Sequence, residues 1–537
     1  MRSYFVFLAF TLRRNIVQFI IVSVIMIILI VSSMTAYVNL YPTAQSRNAT
    51  AIALGSNPGL NALVGKPDRL NTVEGFVAWR SIGTATLILA VWALFVSTRL
   101  LRGDEEQDRW ELLLVGKTTI ARATGQVLLA LGLLSLLMFS SVFSATILTS
   151  HLKGLDWSVA RVGFMSLVLV LIFWLFASVG SFTSQIFSTR STALRVAGVF
   201  FGLSFMLRAL GDISDKASWL ASLSPLGWVE KLRPLTTENY FWLLPILSLV
   251  FLMIAASLFI ASRRDYGGSL VSEKSKYKSH YWLLGNTKKF IARTHFSSLA
   301  IWVVGFFIAN IAFGTFLAAS GDAIGQSGGI QKQIGKITNS GAPNATNLML
   351  GMIFLEMMVV LMFMVASQIN KFRDDEARGY LDNLLVRPVA RLTIINVKTL
   401  YIIIGVFIAC LAIYLGSLIG TKSQNISIDS WQYISSVINL VAIPILLVGI
   451  GIFALGFIPR YTSVVLYSVI GWSFILEIVG SILNLNHWIL DTSLLHHIAI
   501  APAIAVKWPI FWVFIAISVV LCILGVWRYN RRDIELY

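Results

Sequence analysis

Charge is what this sequence has least of. Only 12% of its 537 residues are Asp, Glu, Lys or Arg, half the roughly 25% of a soluble globular domain. Beside 57% hydrophobic residues and a mean hydropathy of +0.79, that shortfall excludes a water-soluble protein with a polar surface. Cysteine is almost missing: Cys410 and Cys522 both fall inside apolar runs, so no disulfide framework is available. Six histidines, His151, His280, His295, His487, His496 and His497, make no ligand spacing with a neighbouring Cys or acid. They read as loop or interfacial residues, and no metal site is expected.

What the chain does have is apolar runs of about 18 residues or more, long enough to cross roughly 30 Å of hydrocarbon as helices. Six spans are expected in the first half: Ile16–Tyr37, Ser81–Leu100, Gly125–Leu148, Val159–Phe182, Ala193–Leu210 and Phe241–Ala261. The second half offers Leu299–Ser320, Leu348–Ile369, Ile395–Leu418, Tyr433–Phe457, Tyr461–Ile482 and Ile510–Val526. The expectation is an all-α polytopic membrane protein of about twelve transmembrane helices. Its first run follows Arg13-Arg14 and exceeds a signal peptide's apolar region of about 7–15 residues, so it reads as an uncleaved span. Placing both termini in the cytoplasm puts most of the 42 basic residues on the inner side, as the positive-inside rule requires. The net charge of +17 therefore reads as topology and contact with anionic membrane lipids, not as nucleic-acid binding.

One passage occurs twice. "RGDEEQDRWELLLV", Arg102–Val115, returns as "RDDEARGYLDNLLV", Arg373–Val386, each after the second span of its half. Asp104 answers to Asp375, Glu105 to Glu376, and Glu111 to Asp382. A second echo follows the sixth spans, "SRRDY" at Ser262–Tyr266 and "NRRDI" at Asn530–Ile534. The chain therefore divides into a first six-span half (1–266), a polar Lys-rich cytoplasmic linker (267–294) and a second six-span half (295–537). Because six is even, the halves should be parallel and pseudo-symmetric about an axis along the membrane normal.

Placed on a helix, Asp104, Asp108 and Glu111 share one face, while Trp110, Leu113 and Leu114 share another. Leu381, Leu384 and Leu385 repeat that apolar triplet. Two readings stand: a solvated loop between spans, or a rigid peg docking into a cytoplasmic partner. The recurrence favours the peg, and two similar pegs imply two similar sockets, hence a dimeric partner. "GKTT", Gly116–Thr119, ends the first copy and imitates a phosphate-binding loop. The glycine that should stand five residues before Gly116 is Glu111, whose charge and Cβ both oppose phosphate binding.

The combination of "EEQDRWELLLV", "EARGYLDNLLVRPVAR", "SPLGWVEKLRPL" and "RRDYGGSL" resembles type-two ABC export permeases. Within these it resembles the branch called exporters of polyketide antibiotics, in which two six-span halves are fused. The family pattern is E-x-x-G-x-x-E-x-L-L-x-x-P-x-x-R. By that resemblance the repeated loops are coupling helices that contact two copies of a separate ATPase. ATP and Mg would belong to that partner, with no cofactor in this chain. The cargo would be a hydrophobic or amphipathic small molecule leaving across a bacterial plasma membrane. Glu105, Arg109 and Glu111 take motif positions in the first half; Glu376, Gly379, Asp382, Pro388 and Arg391 take them in the second. Asp108 stands where the glycine belongs, and Lys117 stands where the second half has Pro388.

Each half starts with a basic amphipathic segment, Arg2–Arg14 and Lys288–Ser298, which reads as an interfacial helix or a positive-inside anchor. The outer segment Asp212–Trp242 is too apolar for a free loop and reads as short helices dipping into the outer leaflet; Asn484–Pro509 is its counterpart. Ser320–Asn347, rich in Gly, Ser and Asn, reads as an outer loop. Glu356 and Glu477 lie within spans, roughly 8–12 Å from the outer ends at the helical rise, with Asn439 at similar depth. An intramembrane acid costs about 2.5–3.5 kcal/mol on insertion scales. These three residues either line an outward substrate cavity or hold helices together. The alternative transporter class, a twelve-span ion-coupled carrier with G-x-x-x-D-[RK]-x-G-[RK]-[RK] after span two, lacks its glycine and trailing basic cluster here. A membrane-embedded enzyme finds no catalytic cluster at either interface, and a sensor is the remaining alternative.

Overall fold

With no water in the hydrocarbon, a spanning backbone must satisfy its own N–H and C=O groups, and apolar helices do so. The computed structural model describes residues 6–41, 43–55, 61, 64–114, 118–213, 217–271, 285–325, 345–377, 379–381, 389–423, 429–483 and 486–532. Among the described residues there are helices, turns and one isolated bridge, Phe187 with Val271, but no strand. The protein is thus an all-α polytopic membrane protein. Eleven described helices are long and apolar enough to cross a bilayer. A further helix, Thr462–Leu483, occupies the remaining expected span.

The chain forms two compact units, Met1–Tyr277 and Lys278–Tyr537. In the first, besides a helix at Ala44–Gly55, the helices are α1 (Val6–Leu40), α2 (Val73–Glu106), α3 (Glu111–Leu114), α4 (Ile120–Leu152) and α5 (Val159–Ile186). There follow α6 (Arg190–Ile213), α7 (Ser218–Leu223), α8 (Pro225–Lys231) and α9 (Leu243–Arg263). Helix α5 is central and packs on α2, α4, α6 and α9. Where α1, α2 and α5 converge, the rings of Phe19, Trp92 and Phe173 meet with centroids 4.7–5.5 Å apart, and Phe19 meets both others edge-on, as aromatic quadrupoles favour.

The second unit has α10 (Thr287–Gly325), α11 (Ala345–Ala377), α12 (Arg391–Ser423), α13 (Ser430–Phe457), α14 (Thr462–Leu483) and α15 (Trp508–Arg531). Its centre is α13, and the α13–α15 contact is built on small residues. A Cβ on Gly456 would sit 2.5 Å from the Gly525 carbonyl oxygen, and one on Gly449 would sit 2.8 Å from Ser518. Close backbone approach of this kind maximises van der Waals contact between helices in lipid.

Two expectations are corrected. The segment before the first span is no separate interfacial helix from Val6 onward: α1 runs unbroken for 35 residues, about 52 Å at the helical rise. No Gly or Pro interrupts Val6–Leu40, so nothing stops the helix at Arg14. Likewise α10 absorbs Lys288–Ser298. Of the expected linker, residues 272–284 lie outside the described residues, as do residues 326–344 of the outer loop.

The segment Asp212–Trp242 does form short helices, α7 and α8, and a 3-10 turn at Tyr240–Trp242. It is fastened to α6 by Ser224 Oγ, which donates to the Ser204 carbonyl at 2.5 Å. The second unit repeats the device, with Ser493 Oγ donating to the Ser473 carbonyl at 3.2 Å.

Candidate functional site

Helix α2 leaves regular α geometry in a π turn at Arg99–Gly103 and closes with Asp104–Glu106. It does not continue to Val115, contrary to the expected single helix. The Asp108 N–H donates to the Glu105 carbonyl and the Arg109 N–H to the Asp104 carbonyl, both at 3.0 Å. Asp108 itself has φ +54°. This is a left-handed helix cap whose crossed bonds satisfy the orphan carbonyls. The second unit makes the same cap. Gly379 N–H meets the Glu376 carbonyl at 2.9 Å and Tyr380 N–H meets the Asp375 carbonyl at 3.0 Å, with Gly379 at φ +71°. The motif glycine is therefore a backbone requirement, and Asp108 fills the position as one of the few side chains that tolerate it.

Because of the cap, the acids do not share a face. Asp104 and Glu105 turn inward and are buried; Glu106, Asp108, Arg109 and Glu111 are exposed. Asp104 pairs with Arg14 of α1 and, at 3.0 Å, with Arg109. Trp110 is buried edge-on against Phe7 of α1, centroids 5.3 Å apart, so the loop hangs from the start of the first helix. Leu114 packs partly into the same core; Leu113 lies outside the described side chains. The four-residue α3 then ends, and Thr119 caps α4 by accepting from the Arg122 N–H at 3.3 Å. The last threonine of "GKTT" thus serves a helix start, while Gly116 and Lys117 lie outside the described residues.

Glu105 sits in a saturated ion cluster. Arg264, just past the end of α9, donates both Nη atoms to its two oxygens at 2.6 and 2.7 Å. Arg102 donates at 3.0 Å and the Gly267 N–H at 2.9 Å. Arg264 Nε also reaches Gln185 at 2.8 Å, and Arg102 Nε reaches the Ser188 carbonyl at 2.8 Å. The Tyr266 hydroxyl lies 3.2 Å from the Glu105 carbonyl and 3.4 Å from the Asp108 carboxylate; burial first, then Asp108, pushes that hydroxyl's pKa up. Fork-to-fork charge pairing of this kind stabilises only when complete, since breaking a buried pair costs about 3–5 kcal/mol.

The second unit builds the same contact. Arg532, just past α15, donates to buried Glu376 at 2.5 Å, and Arg391 donates to the Arg532 carbonyl at 3.1 Å. Asp375 takes Lys398 of α12 at 2.8 Å, and Leu381 is buried where Trp110 is. Asp382 and Pro388 lie outside the described residues.

Glu105 and Glu376, expected to touch a partner, thus face inward; only the turns they hold are presented outward. The sequence carries both partners of these pairs as separate echoes. The signal was available: an acid and an arginine recurred in step, and complementary charges that recur together are candidates for contact. Arg14 and Lys398 carried no such signal.

Among the described residues no hydrogen bond joins the three intramembrane residues. Asn439 is buried and donates to the Ala499 carbonyl at 3.1 Å. Glu477 is half-buried, and Glu356 is exposed on its unit with no hydrogen bond or ion pair among the described residues. At the start of α2, beside a second π turn at Ala78–Ile82, a cavity of about 50 Å³ is lined by Trp79, Thr86, Arg208 and Glu230 among others. It has room for a water or two and is far smaller than a drug pocket. Glu230 accepts from the Lys66 N–H at 2.7 Å and lies 3.9 Å from Arg208; burial pushes its carboxyl above the ordinary glutamate range.

A family model described as "Multidrug efflux system permease Rv1217c, C-terminal domain" matches residues 8–262 and again residues 284–530. The multidrug efflux system permease protein Rv1217c of Mycobacterium tuberculosis is 24% identical over 505 residues, covering 92% of this chain and 88% of that protein.

Proposed function

The chain belongs to the family of multidrug efflux permeases to which that model corresponds, and from that membership we propose that it is the membrane subunit of an ATP-driven drug exporter. Two copies of a separate ATPase would dock on the two capped turns, one per half, and supply ATP and Mg. Their closure on nucleotide would bias the permease between inward- and outward-facing states by differential binding. Both termini and both turns would be cytoplasmic, as the basic residues prescribe. The cargo would be amphipathic or hydrophobic, in keeping with the fused polyketide-exporter branch and with the multidrug label of the relative.

One observation carries the reading. The same left-handed cap, presented on the same buried Glu–Arg support, occurs in each half. A loop that merely needs solvating requires neither rigidity nor duplication; a docking tooth requires both. The test is charge reversal of the exposed tips, Asp108→Lys with Glu111→Lys, combined with Asp382→Lys. The ATPase should co-purify with the wild type and be lost from the variant, with drug efflux reduced at least tenfold. Efflux that survives the reversal, or that a protonophore abolishes while ATP is held constant, overturns the reading in favour of an ion-coupled carrier.

A further inference from the structure

In each half, an acid from the repeated loop closes on an arginine from the other repeated passage: Glu105 on Arg264, Glu376 on Arg532. Two separate echoes in the sequence are thus the two jaws of one contact, made twice. We propose that each contact is a clasp making the partner-facing turn and the last helix of its half a single mechanical body. Glu105, Arg264, Glu376 and Arg532 are then positioning residues for transport, not docking residues. The partner in this proposal is that of the preceding section, whereas the clasp stands on its own geometry.

Three features support transmission over simple charge neutralisation. First, all four side chains are buried, 1–8% exposed, so none can touch another protein. Second, the first clasp is over-determined in direction. Arg264 grips both carboxylate oxygens while its Nε holds Gln185 at the end of α5, and the Gly267 N–H adds a backbone tie. Arg102 extends the grip to the α5–α6 connection through Ser188. A displacement at Asp108 is therefore delivered to the ends of α2, α5 and α9 together, with no flexible linker between. Third, the second clasp is also tied to the start of α12, through Arg391 and the Arg532 carbonyl. Rigid, preorganised connections of this type convert a small local shift into movement of a whole element.

The test uses the full chain co-expressed with its ATPase. Glu105→Gln, Arg264→Gln, Glu376→Gln and Arg532→Gln keep side-chain shape and are compared at equal amounts of monodisperse protein. Hydrogen exchange should rise at least tenfold at Asp108, Arg109 and Gly267 in the first-half variants and stay unchanged in α4. ATPase co-purification should stay within twofold of wild type, since the exposed tips are intact. Drug efflux should fall at least tenfold, with ATP hydrolysis no longer stimulated by drug. Exchanging the charges, Glu376→Arg with Arg532→Glu, should restore at least a third of efflux, which a loss of packing would not permit. Unchanged exchange, efflux falling only in proportion to lost ATPase, or a failed rescue overturns the clasp. Should wild-type protein carry no ATPase, the docking reading fails instead. The clasp is then judged on exchange, efflux and rescue alone, each of which still supports or overturns it.

Discussion

At the scale of single residues, the most informative position is the glycine slot of the repeated motif. Its φ of +71° at Gly379 and +54° at Asp108 explains both the family's glycine and why an aspartate can replace it. An L-residue in the left-handed region costs about 1–2 kcal/mol. Gly379→Ala should therefore lower stability by about that amount in detergent unfolding. Asp108→Gly should gain less than about 1 kcal/mol, because Asp tolerates the conformation and Gly frees the unfolded chain. Glu230 gives a pH dependence. Its carboxyl is held above the ordinary glutamate value by burial, so the folded state favours the protonated form. Stability is then full below the unfolded pKa and falls as pH rises through the folded one. Melting temperature should drop with rising pH in the wild type, and Glu230→Gln together with Asp212→Asn, the buried carboxyl beside it, should flatten that slope.

At the scale of elements, the loop after α2 is anchored by an aromatic and the α13–α15 pair by the absence of side chains. Trp110 fills a buried site against Phe7. Trp110→Ala should cost about 3–5 kcal/mol through lost burial and a residual cavity, and limited proteolysis should reach the start of α1 sooner. Gly525 lies backbone to backbone with Gly456 and Ile452. Gly525→Leu must push α15 off α13, since no flexible side chain stands there to yield. The expected outcome is aggregated protein in size-exclusion chromatography, whereas Gly202→Leu in α6, whose Cβ would meet nothing within 4 Å, should leave the protein monodisperse. Trp110 was legible in the sequence as part of an apolar triplet. The break at Asp108 was legible only through the second copy, where Gly379 stands in the same slot as a helix-ending residue, because Asp itself does not mark a left-handed cap.

At the scale of the whole molecule, the intramembrane acids set the cargo question. Asn439 is already committed to the Ala499 carbonyl. Glu356 is exposed on its unit, and an acid facing hydrocarbon would cost about 2.5–3.5 kcal/mol or more, so a wet cavity is its favourable surrounding. Glu356→Gln should lower resistance to cationic drugs about tenfold while sparing neutral ones, as minimum inhibitory concentrations in a hypersusceptible host would report. Equal loss for both classes would assign the residue to packing.

The apolar runs were enough to determine a many-span helical protein, and the two pairs of echoes predict two like halves within it. Lipid leaves the backbone only one economical way to cross, and duplicated sequence folds alike. Tertiary structure alone decided which acids look outward. Burial of Glu105 and Glu376 depends on arginines about 160 residues away in the chain, brought near by the return of the sixth helix to the end of the second. A carboxylate's environment, and hence whether it docks a partner or clamps its own loop, is a property of that proximity.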